Sequence, residues 1–512
     1  MMVLTAEQTR TVEARSVELG MSWLRLMENA GSAAARFIRD NCRLEGKKAV
    51  IVCGKGNNGG DGYVIARKLI ENKAVVRVVS VGTPSTQSAV EMVAKAVSVN
   101  IKPIDFERYE SLCCQYISDA DIIVDAIFGI GFRGEPCGIF ASAIEAINNS
   151  NAFKIAVDVP SGMLSDSSVT EHLHVKADMT VTFAAYKPCH ILSPSANDCG
   201  KVSVVSIGMP DAAFDTVEPC IKVVTDKYAA SLLPERTADF HKGDCGTAGL
   251  LCGAVGYAGA AVIAGRAAVK SGAGIVDMII PESIYNIVGT SIPEAVCTVL
   301  KNVEDGCVLD EVTENVIDTL DRCSVGLIGC GLGQSNQAKY TVTEVMKNCS
   351  IPLVLDADGI NILSNCIELI RRYTNDVVIT PHPKEASRLL KISVEDIQKD
   401  RLSAVKRLAE LTGAVSVLKG AKTLIAVPNG CVYVVTDGNP GMATAGTGDM
   451  LAGMIAAFMA QGLTAENAAV CSVKLHAMSG DIAVSETSVL SLTPTDMINT
   501  LPTVYCRMYL KK

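Results

Sequence analysis

Short runs of β-branched and aliphatic residues recur at 48–53, 75–81, 121–128, 154–159, 179–184 and 201–207, separated by stretches such as 63–72 whose apolar positions return at helical spacing. Apolar runs alternating with amphipathic stretches predict a parallel sheet covered on both faces, hence a doubly wound α/β domain. Ahead of it, residues 5–42 carry a helical period, and Thr5 with Gln8 has the spacing of a capping box. The pattern weakens from Gly208 to Asp239, where Pro210, Pro219 and Pro234 interrupt it, and then restarts. Runs at 249–253, 324–329, 353–356, 377–380, 415–419 and 423–427 predict a second sheet, followed by helices. Two three-layer αβα domains are therefore expected, over 1–215 and 216–512.

A length of 512 residues agrees with more than one domain, and a composition 49% hydrophobic and 20% charged fits a packed α/β enzyme. The net charge of −9 gives no reason to expect nucleic acid or an anionic membrane as partner. No apolar run reaches the ~18 residues of a membrane span. The opening MMVLTAEQTR lacks the basic-then-apolar pattern of a signal peptide, so a cytoplasmic protein is expected, with small molecules and further copies of itself as partners. Nineteen cysteines are an odd number without CxxC spacing, and Cys53, Cys252 and Cys471 sit in apolar runs, which predicts reduced core thiols. The six histidines contain no HExxH, so a zinc enzyme is not expected.

The run ending at Cys53 enters Gly54-Lys55-Gly56-Asn57-Asn58-Gly59-Gly60-Asp61-Gly62 before a helical stretch. Glycines at a strand-to-helix turn let backbone N–H groups approach a phosphate, and a helix N-terminus adds partial positive charge. A merely tight turn is the alternative, but it needs fewer glycines and no paired Asn with Asp. The run carrying Asp125 ends in Gly129-Ile130-Gly131-Phe132-Arg133-Gly134, followed by Glu135. This is literally GxGxxG, yet it does not open the domain, so a second anion-binding turn is the more modest reading. Asp158, in Val157-Asp158-Val159-Pro160-Ser161-Gly162, stands at a strand end where open α/β sheets bind ligands, as a candidate acid/base or a turn-stabilising Asp.

Together NNGGDG, the aspartate strand before GxGxRG, and VDVPSG resemble the epimerase domain of the NAD(P)H-hydrate repair enzymes over about residues 5–210. The resemblance implies that Asn57, Asn58, Gly59, Gly60 and Asp61, with Gly129, Ile130, Gly131, Phe132, Arg133, Gly134 and Glu135, cradle the damaged dinucleotide. It also implies potassium held by Asn58, Asp125 and Ser161, with Asp158 as the catalyst. The substrate is a cyclic hemiaminal, and one carboxylate moving a proton could open its ring and let it close on the opposite face.

In the second half His241-Lys242-Gly243-Asp244, Gly329-Cys330-Gly331-Leu332-Gly333, Asp356-Ala357-Asp358 and Thr380-Pro381-His382-Pro383-Lys384-Glu385 fall at run ends. Thr444-Ala445-Gly446-Thr447-Gly448-Asp449 precedes a small-residue helical stretch. Its helix-start N–H groups can form an anion hole while Asp449 takes a proton from an attacking hydroxyl; a structural turn with an Asp cap is the alternative. Lys419-Gly420-Ala421-Lys422-Thr423 is placed to touch a nucleotide, and no GxxxxGK[ST] offers a P-loop. His382, between two prolines, either contacts ligand at the rim or caps a strand.

These motifs resemble the ribokinase-like superfamily and, within it, the NAD(P)H-hydrate dehydratase domain over about 225–505. The resemblance implies a substrate site at Ala260, Gly333, His382 and Asp449. It implies a nucleotide site at Lys419, Gly420, Ala421, Lys422, Thr423 and Gly448. Cys330 and Gly359 depart from the proline and alanine usual in that family. The substrates implied are NADHX and NADPHX, with ADP as phosphoryl donor giving AMP and phosphate, and Mg2+ beside it. A small-molecule kinase fused to a binding module is the rival that the GTGD loop alone would admit; a nucleotide-sensing, non-enzymatic first domain is the second.

Overall fold

The helical period over 5–42 yields two helices, α1 (Ala6–Glu18) and α2 (Trp23–Asn41), instead of the single one expected. Thr5 and Gln8 do form the capping box. The period runs on through Leu19 and Met21, but Ser22 in extended backbone accepts the Arg25 N–H and starts a new helix. The computed structural model describes residues 2–71, 73–219, 221–301, 309–428 and 430–511; Asn72, Cys220 and Cys307 lie outside them. By contact density the chain divides into two compact units, Met1–Ile221 and Lys222–Lys512.

In the first unit, strands β1 (Lys48–Cys53), β2 (Val75–Ser80), β3 (Ile104–Asp105), β4 (Ile122–Ala126), β5 (Phe153–Val157), β6 (Met179–Phe183) and β7 (Lys201–Val205) form a parallel sheet. Their order is β3-β2-β1-β4-β5-β6-β7. The order reverses between β1 and β4, so the crevice for a ligand opens at their C-terminal ends, where helix α3 (Asn57–Glu71) begins. Buried residues cover the sheet on both faces: Ile51, Val64 and Val124 belong to one core, Val50, Ile123 and Ile144 to the other.

The second unit holds β8 (Thr247–Leu251), β9 (Ile275–Pro281), β10 (Val296–Leu300), β11 (Val325–Ile328), β12 (Leu353–Leu355), β13 (Val377–Ile379), β14 (Val415–Leu418), β15 (Leu424–Ala426) and β16 (Val432–Val434). They run in the order β16-β15-β14-β13-β12-β11-β8-β9-β10. Pairing is parallel except where β15 joins β14 and β16. Strands β9, β10 and β16 were not among the expected runs. Helices α4 (Ala258–Lys270), α5 (Pro383–Leu390), α6 (Thr447–Ala460) and α7 (Ala465–Glu486) include the positions of interest. Every residue of α6 from Met450 on is buried, which explains a helix apolar all round. The weakly patterned 208–239 stretch contains short helices, Asp211–Phe214 and Asp226–Leu232. No described helix is long and apolar enough to cross a membrane, and the described cysteines are free thiols, most of them buried.

Candidate active sites

The first site grows from the turn after β1. The chain passes through Gly54-Lys55-Gly56 straight into α3, so Asn57 to Asp61 are the helix's first turn and not a loop ahead of it. That turn sits so tightly that a Cβ on Gly59 would stand 1.9 Å from the Gly54 carbonyl oxygen. Its N–H groups carry the partial positive charge that suits a phosphate.

Asn58, Asp125 and Ser161 gather around the carbonyl of Phe128. The Asn58 side-chain amide lies 2.9 Å from that oxygen and the Ser161 hydroxyl 3.4 Å from it. The hydroxyl also donates to Asp125 Oδ1 at 2.5 Å, and the Ser161 N–H to Oδ2 at 2.8 Å. Burial pushes Asp125 up to about 6, the bonds from Ser161 and Ile127 pulling back, and no cationic side chain takes part among the described residues. Oxygens with a single uncompensated buried carboxylate fit a weakly held monovalent cation.

Asp158 follows β5 with φ +66, unusual for a residue with a Cβ. Lys187 Nζ donates to its Oδ1 at 2.7 Å, the Thr182 hydroxyl to the same oxygen at 3.0 Å, and the Ile130 N–H to Oδ2 at 3.3 Å. Lys187 is 1% exposed and also donates to Thr182 Oγ1 and the Phe183 carbonyl, which occupies all three ammonium protons. Burial pushes the Asp158 carboxyl up, but the Lys187 charge and these bonds outweigh it and hold it below the usual range. Two further acids go the other way. Burial first, then the charges of Asp158 and Glu13, push Asp61 well up, and burial first, then the Asp158 charge, raises Glu13 to about 7. One carboxylate held low beside two pushed up is an arrangement for moving protons.

A Cβ on Gly129 would stand 3.2 Å from Asp158 Oδ2 and 3.3 Å from Asn58, so Gly129 and Ile130 approach the centre. Phe132 stacks on Phe128 with ring centroids 4.5 Å apart. Gly131, Arg133, Gly134 and Glu135 are exposed at the rim. Arg133 bonds the Phe132 carbonyl, and Glu135 pairs with His172 at 2.7 Å. His172 and His174 stand two residues apart but serve different partners, His174 meeting Asp198.

The second site centres on Asp356, buried just past β12. Its Oδ1 receives Lys419 Nζ at 2.7 Å and the Thr380 hydroxyl at 2.6 Å; its Oδ2 faces the Cys330 thiol at 3.6 Å. Lys419 therefore serves Asp356, with Glu385 a second carboxylate at 4.0 Å. Burial alone would raise Asp356, but Lys419 holds it below the usual range. Helix α6 opens on Gly446 at φ +93, placing Asp449 third in the helix, and a Cβ on Gly448 would meet Lys419 Nζ at 3.2 Å. Burial, then the charge of Asp356, pushes Asp449 up to about 6.

His382 caps α5, the helix after it rather than a strand: Nδ1 accepts the N–H groups of Lys384 and Glu385 at 3.0 and 3.4 Å. Its side chain is 45% exposed, so the cap leaves part of the ring open. Gly333 donates its N–H to Asp358 at 2.9 Å, and Ala260, in the first turn of α4, faces Gly331. Gly420, Ala421, Lys422 and Thr423 turn β14 into β15, closed by the Thr423 hydroxyl on the Gly420 carbonyl at 2.9 Å. Beneath the turn, buried Arg401 donates to the carbonyls of Leu418 and Lys419. Lys187, Thr182, Glu13 and Arg401 carry no motif; a Lys just after an apolar run, in Tyr186-Lys187-Pro188, was the one available signal.

Comparison with known proteins finds the family model described as the YjeF-related protein N-terminus over residues 24–189, and that of NAD(P)H-hydrate dehydratase over 248–503. A bifunctional NAD(P)H-hydrate repair enzyme of Thermofilum pendens is 36% identical over 482 residues, covering 93% of this chain and 91% of that one. Its counterpart in Moorella thermoacetica is 34% identical over 510 residues, covering 98% and 96%. Among solved structures, a ribokinase-like superfamily protein of Enterococcus faecalis V583 matches with a TM-score of 0.51 at 28% identity, covering 57% of this chain and 98% of that chain.

Proposed function

Because the chain belongs to the bifunctional NAD(P)H-hydrate repair enzymes, which join an epimerase to a dehydratase, we propose that its two carboxylate centres divide the work, Asp158 serving epimerisation and Asp449 dehydration. The enzyme interconverts the R and S forms of hydrated NAD(P)H and returns the S form to NAD(P)H. The proposed division gives residues 1–215 to the first activity and 216–512 to the second. Repair of a cofactor used throughout metabolism goes with a cytoplasmic location.

In the first centre ionised Asp158 takes the proton of the C6 hydroxyl. The C6–N1 bond breaks as the carbonyl forms, N1 receives a proton, and closure on the other face reverses each transfer. Lys187 keeps Asp158 charged, and protonated Asp61 and Glu13 supply the acid side. A potassium ion would be held by Asn58, Asp125 and Ser161, adding positive charge near the dinucleotide; these residues fit it. The first turn of α3 and Gly129 to Glu135 hold the dinucleotide.

In the second centre Asp449 takes the proton of the C6 hydroxyl as its oxygen attacks the terminal phosphorus of ADP. The helix-start N–H groups of α6 stabilise the charge that builds on the phosphoryl oxygens. AMP leaves, the phosphate ester at C6 departs as phosphate, and loss of the C5 proton restores the double bond. Mg2+ would accompany the nucleotide and neutralise its phosphates. Ala260, Gly333 and His382 face the substrate; Lys419 to Thr423 and Gly448 flank the nucleotide.

The observation that carries this reading is Asp449 itself, a carboxylate whose pKa burial and Asp356 push up to about 6, in the first turn of a buried helix. The test is to incubate the protein with mixed NADHX epimers, with and without ADP, and follow return of NADH absorbance. Complete return that requires ADP supports both activities; return that stops at the S fraction sinks the epimerase assignment.

A further inference from the structure

Cys330 gives the second centre a ligand chemistry that proton transfer and phosphoryl transfer leave unused. Its Sγ, a carboxylate oxygen of Asp356 and one of Asp449 all lie within 4.8 Å of one another. Thiol and carboxylate oxygen at Asp356 Oδ2 stand 3.6 Å apart. With Zn–S of about 2.3 Å and Zn–O of about 2.0 to 2.2 Å, neighbouring ligand atoms of a tetrahedral zinc stand roughly 3.4 to 3.8 Å apart. The Cys330–Asp356 pair already has that spacing, and Asp449 must close by only about 1 Å.

The surroundings orient these ligands as a metal's outer shell does. Lys419 and Thr380 both bond Asp356 Oδ1, so the carboxylate is fixed with Oδ2 turned to the thiol. The Cys252 thiol, one residue beyond β8, is hydrogen-bonded to the Cys330 thiol. Asp356, Asp449 and Glu385 outnumber the Lys419 ammonium, so the cluster is net negative. A divalent cation that displaces the Cys330 proton adds one net positive charge there, which offsets part of the cost of burying the ion. A sulfur ligand and three protein groups suit zinc and not magnesium, which asks for six oxygens.

We propose that Cys330, Asp356 and Asp449 form a binding site for a thiophilic divalent cation, zinc foremost, and that its occupation stops dehydration by taking the Asp449 carboxylate as a ligand. The metal site stands on its own geometry; the inhibition rests on the reading of Asp449 as the base. A fourth coordination position would remain open, for water or a phosphate oxygen.

The test is titration of the metal-free full chain with Co2+, a spectroscopic stand-in for zinc. Parent protein should show a thiolate-to-cobalt charge-transfer band with tetrahedral visible bands, displaced by Zn2+. Cys330→Ala and Cys330→Ser, each checked for folding by circular dichroism, should lose that signal, while Cys471→Ala keeps it as a control for the other buried thiols; Cys189→Ala separates any cobalt held by the other grouping, Cys189, His190 and Cys199. Loss of one of three protein ligands should weaken affinity by at least the roughly tenfold to hundredfold typical of losing a partner behind a ligand. Unchanged cobalt spectra in both Cys330 variants would overturn the site. Zinc should also inhibit dehydration by the parent, and in each variant, scored against its own zinc-free rate, need about tenfold more metal or beyond. Cobalt bound through Cys330 without inhibition by zinc would uphold the metal site and overturn the role of Asp449 as base.

Discussion

Asp158, just past a strand, and Asp449, in the first turn of a helix, are both carboxylates largely withdrawn from water, yet their neighbours drive them in opposite directions. Asp449 faces a second carboxylate and is pushed up to about 6, after burial as the larger cause. A raised carboxyl is protonated below that value, so the dehydration step should fade as pH falls through about 6 and level off above it; a single-turnover pH profile flat from 5 to 8 would contradict this. Asp449→Asn should slow dehydration by about 10² to 10⁴. It should still bind ADP in calorimetric titration, because the groups that hold phosphate are backbone N–H. Asp158 has the opposite sign: Lys187 depresses its carboxyl. A depressed folded-state pKa contributes stability above the unfolded value, lost as pH falls through the folded one. Lys187→Met should therefore move the acid limb of epimerisation upward and destabilise the first unit by roughly 3 to 5 kcal/mol, since it leaves a buried carboxylate unpaired. Equilibrium denaturation and an epimerisation pH profile would show both; a profile that does not move would reduce Lys187 to packing.

At the scale of elements, the strand runs of both sheets were legible because parallel strands buried on both faces are continuously apolar. Two of those that escaped have a physical reason. β3, with two residues, is too short to make a pattern. β9 carries Asp277 in mid-strand, which is tolerable only because Thr298 on β10 donates both its N–H and its hydroxyl to it, each at 3.1 Å. That compensation is invisible until the two strands pair. Lys187 escaped for the same reason, as its partner Asp158 is 29 residues away and the two meet only because β5 and β6 are neighbours. The glycine turns were legible because only glycine fits them, and Gly59→Ala tests this at the element level. A methyl 1.9 Å from the Gly54 carbonyl must push the first turn of α3 off β1 and carry Asn58 away from Phe128. The expected cost is about 1 to 3 kcal/mol with loss of epimerisation, while ADP-dependent dehydration of purified S epimer proceeds at the parental rate. Intact epimerisation would mean the turn can relax without moving Asn58.

At the scale of the whole molecule, each unit owns a sheet and a core, which makes separable folding the expectation. The position of the cut decides the result more finely than the weak sequence pattern of 208–239 could. Up to Glu218 the chain serves the first unit: Phe214 and Val217 pack with Leu4 and Val12, and the Glu218 carbonyl accepts from Gln8. From Val224 it serves the second: Val224, Ala229, Ala230 and Leu233 lie in the core with Ala248 and Leu250, and Asp226 pairs with Lys474 at 2.7 Å. A chain split after Pro219 should give two fragments that melt cooperatively, one epimerising NADHX and the other dehydrating the S epimer with ADP. A split after Glu235 should spare the first fragment and cripple the second. Exposing those buried aliphatic side chains removes core contacts, at about 0.8 kcal/mol per buried methylene-sized group, and Lys474 is left buried with Asp437 alone. Calorimetry on both pairs of fragments separates the cases: equal cooperativity of the two C-terminal fragments would show that the helix Asp226–Leu232 is an ornament of the second core, whereas a molten 220–512 fragment would show that the two units do not fold apart.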